Sequence, residues 1–517
     1  MKTPLFDALR QKPEYIPHLY RFGYLILQGA PLEHGTLPDG WQCHAVCGWQ
    51  LCIHPDQKLF LRETPDGVRF LIGHCYDPFA MEHREEAILE RLAEQEDPRK
   101  ALSDLTGVFV TGILSPGKLR LDTDAAGMLM ANYGVFAGRA AVSSHAHLLS
   151  SVLDIPQRDY VRRLTGYRFY RLFGFFLPGD LSPYEGMRRL VPNHTLHFDG
   201  SFHSRRFWPD RDARELCNAY TMDQRAEEAA RILKNTMALI PEKWAKPAIT
   251  LTGGCDSKTT LACAADHRDR YRYFSYASQE AEALDADGAA VICRALGLEH
   301  TIHPVPETMP DEELVREIIA ANTGSIGKIP LREVRKRILL AQMGDVDVEV
   351  KSWVSEVGRA YFHKRFAREK FPKKPTPRLL TTLYKVFFHD RRLVRETDAI
   401  FADYLARFLR PEDLRGFDWI DLFFWEFRVG GWNGLVITGE HRYSFDITIP
   451  YNNRRLLELM LALPVRDRME DRLYAMIRAG ADPRVDAAGV AITNLKHTSR
   501  RAKLEGLYLA VHSRLPF

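Results

Sequence analysis

The run Thr252-Gly253-Gly254-Cys255-Asp256-Ser257 carries the clearest chemical signal in the chain. Two adjacent glycines let backbone N–H groups turn inward with no Cβ in the way. Thr252 and Ser257 put a hydroxyl on either side of them, and Asp256 adds a carboxylate. A β-rich run, Ala248 to Leu251, precedes the glycines, and a stretch of helical character, Thr259 to Ala265, follows. Strand, tight loop, helix is an arrangement that binds anions, because the helix N-terminus adds partial positive charge to the loop amides. No Gly-Lys-Ser/Thr follows at the Walker spacing, so any phosphate site here is of another kind.

Such a loop needs a sheet to hold it. Between Ala248 and Val305 strands and helices alternate. Tyr271 to Tyr276 reads as a second strand, Asp285 to Leu296 as a helix stopped by Gly297, and His300 to His303 as a third strand. This βαβαβ pattern predicts a parallel sheet covered by helices, with the ligand at the carboxyl ends of the strands. A second reactive group lies in Trp353-Val354-Ser355-Glu356-Val357-Gly358-Arg359, an apolar strand-like run that breaks at a glycine. The same rule puts that break beside the anion loop. There Glu356 and Arg359 bring a carboxylate and a guanidinium to the break.

The 517 residues are too many for one core, so two or more domains are expected. Residues 1–209 read as β-rich, with runs such as Gly107 to Leu114 and Lys118 to Asp122, and a helical stretch from Ala80 to Glu96. After Trp208-Pro209-Asp210 helices dominate, beginning with Met222 to Leu239, which sets a boundary near 210. There is no internal repeat. Lys and Arg number 71 against 67 Asp and Glu, and this net charge of +4 does not argue for a nucleic-acid partner. No apolar run reaches the roughly 18 residues of a membrane span. Met1-Lys2-Thr3-Pro4 lacks a signal-peptide core, and eight cysteines in a chain this long point to a reducing cytoplasm. Cys43, Cys47, Cys52 and Cys75 lie near His44, His54 and His74, but their spacing fits no zinc knuckle. Free thiols in a sheet are expected, with Cys43 and Cys47 on one face. The basic segment His363 to Arg378 reads as a solvated loop.

The glycine loop resembles the Ser-Gly-Gly-x-Asp-Ser pyrophosphate loop of enzymes that split ATP into AMP and pyrophosphate. More widely, the chain is similar to the asparagine synthetase superfamily. Asp285 ahead of Leu296-Gly297 and His300 matches that family's order, as does Pro450-Tyr451-Asn452-Asn453-Arg454-Arg455-Leu456-Leu457-Glu458. Leu119 to Gly127, Ala141 to His145 and Gly186 to His194 resemble motifs of its glutaminase half. The resemblance implies an Ntn-hydrolase-like αββα sandwich over 1–209. It implies a helix-rich domain over 210–517, built around a parallel-sheet pyrophosphate-loop core. ATP and Mg2+ are implied, with Leu251, Thr252, Gly253, Gly254, Asp256, Ser257, Ser275 and Ser355 on the nucleotide. Asp256 would hold the metal, and Glu356 and Arg359 would serve the chemistry. The implied partners are a small-molecule or peptide carboxylate and an amine, and a homodimer is left open.

Three departures qualify the resemblance. Lys2 stands where the family's glutaminases have their nucleophilic Cys, so glutamine hydrolysis by that route is not expected. Arg359 stands where the family has an Asp that helps hold magnesium, and Tyr474 where it has a Lys. The expected activity is an AMP-forming amide ligase without its own glutaminase. Intramolecular amide closure, as in β-lactam synthetases and lasso-peptide cyclases, is the alternative, and an inactive nucleotide-binding scaffold is a third.

Overall fold

Alternating apolar residues pair into two antiparallel sheets over the first 206 positions. The structure, a computed structural model, describes residues 4–95, 97–170, 174–210, 213–385, 388–491 and 498–514. In the first sheet the strands run in the order Arg188–Arg189, Asn132–Phe136, Arg139–Ser143, Tyr24–Gln28, Trp49–Ile53 and Gln42–Val46. In the second the order is Phe202–Arg206, His194–Phe198, Lys118–Thr123, Thr106–Ser115, Gly67–Tyr76 and Leu59–Thr64. The period of two sorts side chains between faces. Tyr24, Ile26, Trp49 and Leu51 meet Phe70, Ile72, Val108 and Val110 between the sheets. Leu71, Cys75 and Phe109 face outward onto the helices Glu85–Ala93 and Arg99–Asp104. Leu25, Leu27 and Ala141 face outward from the other sheet.

That last face is covered from two places in the chain. Leu148 and Leu149 come from the nearby helix Ala146–Leu153. Val315, Ile318 and Ile319 come from Glu312–Asn322, and Val334 and Ile338 from Leu331–Ala341, more than a hundred residues past the compositional boundary. The order is helix, sheet, sheet, helix, and the later part of the chain supplies part of one outer layer.

The strand Gln42–Val46 turns into Trp49–Ile53 through Cys47 and Gly48, both at positive φ (49° and 80°). Two such residues make the tight hairpin whose twist matches its strands. The turn puts Cys43 directly opposite Cys52, and the two form a disulfide. The expectation of free thiols therefore fails for this pair. Counting Cys43 and Cys47 on one face assumed one continuous strand, whereas a hairpin turn begins at Cys47. Cys47 and Cys75 remain free thiols.

A third sheet follows, parallel throughout, in the order Thr301–Pro304, Arg272–Ala277, Pro247–Thr250, Val348–Val350 and Asp446–Thr448. Ala248, Ile249, Val348, Val350 and Ile447 are wholly buried, as a sheet covered on both faces requires. The chain leaves Pro247–Thr250 toward one edge through two strands, then returns to lay Val348–Val350 on its other side. The crevice between these two neighbours is the topological switch point, where ligands of open α/β sheets bind. The anion-loop run therefore sits at the one place this topology prepares for a ligand.

A buried latch ties the parallel sheet to the paired sheets. Asn452 donates from Nδ2 to the Gly107 carbonyl (2.6 Å) and to Asp124 (2.8 Å), and its Oδ1 accepts from the Ala126 amide (2.9 Å). Arg454, fully buried, donates to Asn193 Oδ1 and to the carbonyls of Thr123 and Asp124 at 3.0–3.1 Å. Among the described residues, no helix is long and apolar enough to cross a membrane.

Candidate functional site

The loop after Pro247–Thr250 feeds directly into the helix Cys255–Cys263. The sequence suggested a helix from Thr259; it begins four residues earlier, with Gly254 as its N-cap. Asp256 and Ser257 thus lie in the first helical turn, whose amides have no intrahelical partner. Ser257 staples the turn: its Oγ donates to the Thr252 carbonyl (2.7 Å) and lies 2.9 Å from Thr252 Oγ1. The Gly253 amide donates to the Asp285 carbonyl at 3.1 Å, so the marker Asp285 is a structural neighbour of the loop. Lys258 points away, to Asp486 and the Val490 carbonyl.

A cavity of about 340 Å³ opens at the switch point. Thr250, Thr252, Asp256 and Ser257 line one side, and Lys351, Ser352, Trp353 and Glu356 the other. Tyr276, Asp285, Trp432 and Asn433 complete the wall. Of the residues the sequence singled out, Thr252, Asp256, Ser257 and Glu356 meet in this space, and Gly253 and Gly254 form the loop itself. Three other nucleotide-site candidates, Leu251, Ser275 and Ser355, do not line it. Leu251 is buried, its amide bonded to the Phe274 carbonyl. Ser275 is buried with its Oγ donating to the Leu251 carbonyl (2.7 Å), and Ser355 with its Oγ on the Ser352 carbonyl (2.7 Å). These two serines hold backbone, Ser275 Oγ also lying 2.9 Å from His300 Nε2, and neither is among the residues that line the cavity.

Glu356 sits in a 3-10 turn, Ser355–Arg359, where the sequence suggested strand; the strand ends earlier, at Val350. Val354 and Ala360 bracket the turn in the left-handed region, at φ 72° and 50°. A β-branched residue there is strained, of order 1–3 kcal/mol, and such strain gathers at functional sites. Gly358 lets the turn close down: a Cβ there would meet Met460 at 2.7 Å. Tyr474, in the family's Lys position, supports the turn from below by donating to the Ser355 carbonyl at 2.5 Å. Among the described residues the Glu356 carboxylate makes no hydrogen bond. Burial and then the charge of Asp256 push its pKa up, against the pull of Arg359, Arg428 and Lys364. A carboxyl held in this way is suited to taking or giving a proton.

Arg359 does not line the cavity. Its Nε and Nη2 fork onto Asp471 at 2.8 Å, and its Nη1 reaches Asp256 Oδ2. Burial pulls the guanidinium down, but Asp256 and Asp471 outweigh it and leave its pKa raised. The expected magnesium site can be tested on Asp256. Its Oδ2 carries Arg359, and its Oδ1 is sealed from solvent without a partner. No group of three or more His, Cys, Asp or Glu is placed to hold a metal among the described residues. With Oδ2 paired to a guanidinium, Asp256 has at most one oxygen for a metal, and water and phosphate would have to complete the octahedral shell of Mg2+.

Sequence reasoning missed Lys351, Trp353 and Trp432 as lining residues, whereas Tyr276 adjoins Ser275 in the strand that the resemblance put at the nucleotide. Glu349 and Lys351, two residues apart in an apolar strand, were a legible signal, since charges in a buried strand are rare unless paired. Trp432 was not legible. It comes from a π-helical segment, Phe423–Asn433, of the kind that occurs at functional sites. Its ring stacks near that of Trp353 (5.8 Å, 17°), and the Arg428 guanidinium lies 4.3 Å over it.

No protein-family description and no curated relative matches the chain. Solved structures similar to it include glutamine phosphoribosylpyrophosphate amidotransferase from B. subtilis, complexed with ADP and GMP. That match is 12% identical and covers 68% of this chain and 73% of that one, at a TM-score of 0.23. An allosteric regulatory enzyme of purine biosynthesis is also 12% identical, covering 60% and 76%, at a TM-score of 0.24. Scores this low carry no argument about fold or activity.

Proposed function

We propose that this protein is an ATP-dependent, AMP-forming carbon–nitrogen ligase, with residues 210–517 as the ligase domain and residues 1–209 as a glutaminase-like Ntn-type domain that lacks its nucleophile. The observation that carries this reading is the meeting, in one switch-point cavity, of a Gly-Gly loop at a helix N-terminus with the Glu356 carboxylate, which has no hydrogen-bond partner among the described residues. The loop amides and the Thr252 and Ser257 hydroxyls would hold the phosphates. Tyr276, Trp353 and Trp432 offer flat faces for a purine. Glu356 would take a proton from an amine as it attacks an acyl-adenylate. The N-terminal half serves as a scaffold, through the latch of Asn452 and Arg454. Intramolecular closure of one substrate is the second reading; it needs no ammonia from glutamine and so accords with Lys2 in place of the family's nucleophilic Cys, though Lys2 lies outside the described residues.

The test is a screen of carboxylic acids with ATP, with hydroxylamine as a trapping amine, reading hydroxamate and AMP together. Acid-dependent AMP release supports the ligase. ATP binding with no AMP release from any acid would favour the scaffold instead.

A further inference from the structure

The charges around the anion loop form a closed set. Asp256 and Asp471 face Arg359 and Lys364, with Lys364 Nζ 2.6 Å from Asp471. Asp256 is thereby neutralised from within the protein by a guanidinium that Asp471 holds in a fixed fork. Asp256 Oδ2 is thereby occupied, and Oδ1, without a partner, is sealed from solvent.

The cation that does face the cavity is Lys351, at the carboxyl end of the strand Val348–Val350 and across the crevice from the loop. Its side chain is 4% exposed, with Nζ 2.5 Å from Glu349 Oε1. Glu349 is wholly buried, also accepts from Thr250 Oγ1, and keeps Oε2 without a hydrogen bond. Burying such a pair stabilises a fold less than apolar residues of the same volume would. What the pair does achieve is to fix an ammonium at the switch point. The loop helix's own lysine, Lys258, is committed elsewhere.

We infer that this site binds a polyphosphate without a divalent metal, Arg359 neutralising Asp256 and Lys351 contacting the phosphate oxygens directly. The inference rests on the nucleotide reading above and goes further by replacing its metal with protein cations. It is tested on the full chain by isothermal titration with ATP and with inorganic pyrophosphate, each in EDTA and in Mg2+. Affinity in EDTA should lie within about threefold of that in Mg2+, a difference well under the 1.4 kcal/mol of a tenfold change. Lys351→Met should weaken binding about tenfold or more under both conditions, and Lys351→Arg much less. Because Lys351→Met strands the buried Glu349, the double variant Lys351→Met/Glu349→Gln is measured beside it and should show the same loss. ATP binding that requires Mg2+ would overturn the inference and leave the nucleotide reading intact. Pyrophosphate binding in EDTA without ATP binding would uphold the metal-free anion site and remove the nucleotide. Binding of neither, or undiminished binding in the folded double variant, would overturn the role given to Lys351.

Discussion

Glu356 and Gly254 show how differently two residues of one site depend on their surroundings. A half-buried carboxylate with no hydrogen bond among the described residues adds little to the fold, so its removal should not harm stability. Glu356→Gln should therefore keep or raise the melting temperature, while acid-dependent AMP release falls by roughly 10². A melting temperature lowered by many degrees would instead make Glu356 a structural residue. Gly254 has φ −77°, which any residue adopts, and an added Cβ would approach only Thr252 Oγ1, at 3.2 Å. Gly254→Val should consequently fold. Its branched side chain would stand where phosphate approaches the loop, and ATP affinity should fall about tenfold, as titration would read. Equal affinity in the folded variant would remove the loop from nucleotide binding.

At the scale of elements, the site is assembled from strand ends and helix ends whose charges are coupled. Glu440 ends the helix Gly434–Gly439, buried, with Oε1 3.7 Å from Arg337 Nε. Burial pushes its pKa up to about 6, against the pull of Arg337. The folded state thus holds this proton more tightly than the unfolded chain, whose value is about 4.3. The stabilising contribution of the protonated form is complete below that value and is lost as pH rises through about 6. Glu440→Gln removes this dependence. Its stability relative to the parent should rise by about 2 kcal/mol between pH 4 and pH 7.5, measured by urea unfolding. A flat difference across that range would show that Glu440 titrates normally.

For the whole molecule, the compositional boundary near 210 is not a packing boundary. The helices Glu312–Asn322 and Leu331–Ala341 bury Val315, Ile318, Ile319, Val334 and Ile338 against a sheet from the first half. Residues 210–517 expressed alone should expose that surface and aggregate, or melt without cooperativity. A soluble fragment with a sharp melt and full ATP binding would refute the single-unit view. Within the intact chain, Arg454→Ala leaves the acceptors at Asn193, Thr123 and Asp124 unmatched in the core. It should cost about 3 kcal/mol or more, read as a lowered denaturant midpoint with little change in slope.

The sequence by itself determined the features governed by local rules. Alternating apolar residues specified strands, and Gly253-Gly254 before a helix specified a tight strand-to-helix loop. The βαβαβ order specified a parallel sheet with its ligand crevice at the strand ends, where Thr252, Asp256, Ser257 and Glu356 line one cavity. Boundaries slipped where local propensity was weak, as at Cys255–Lys258, where the end of the strand rather than residue preference starts the helix. Only the tertiary structure decided which candidate serines line the cavity: Ser257 does, whereas Ser275 and Ser355 do not. It also decided that Cys43 meets Cys52, that Arg359 occupies Asp256, and that Lys351 and Trp432 reach the site from distant segments. Such pairings depend on register and on contacts across hundreds of residues, and no local pattern encodes them.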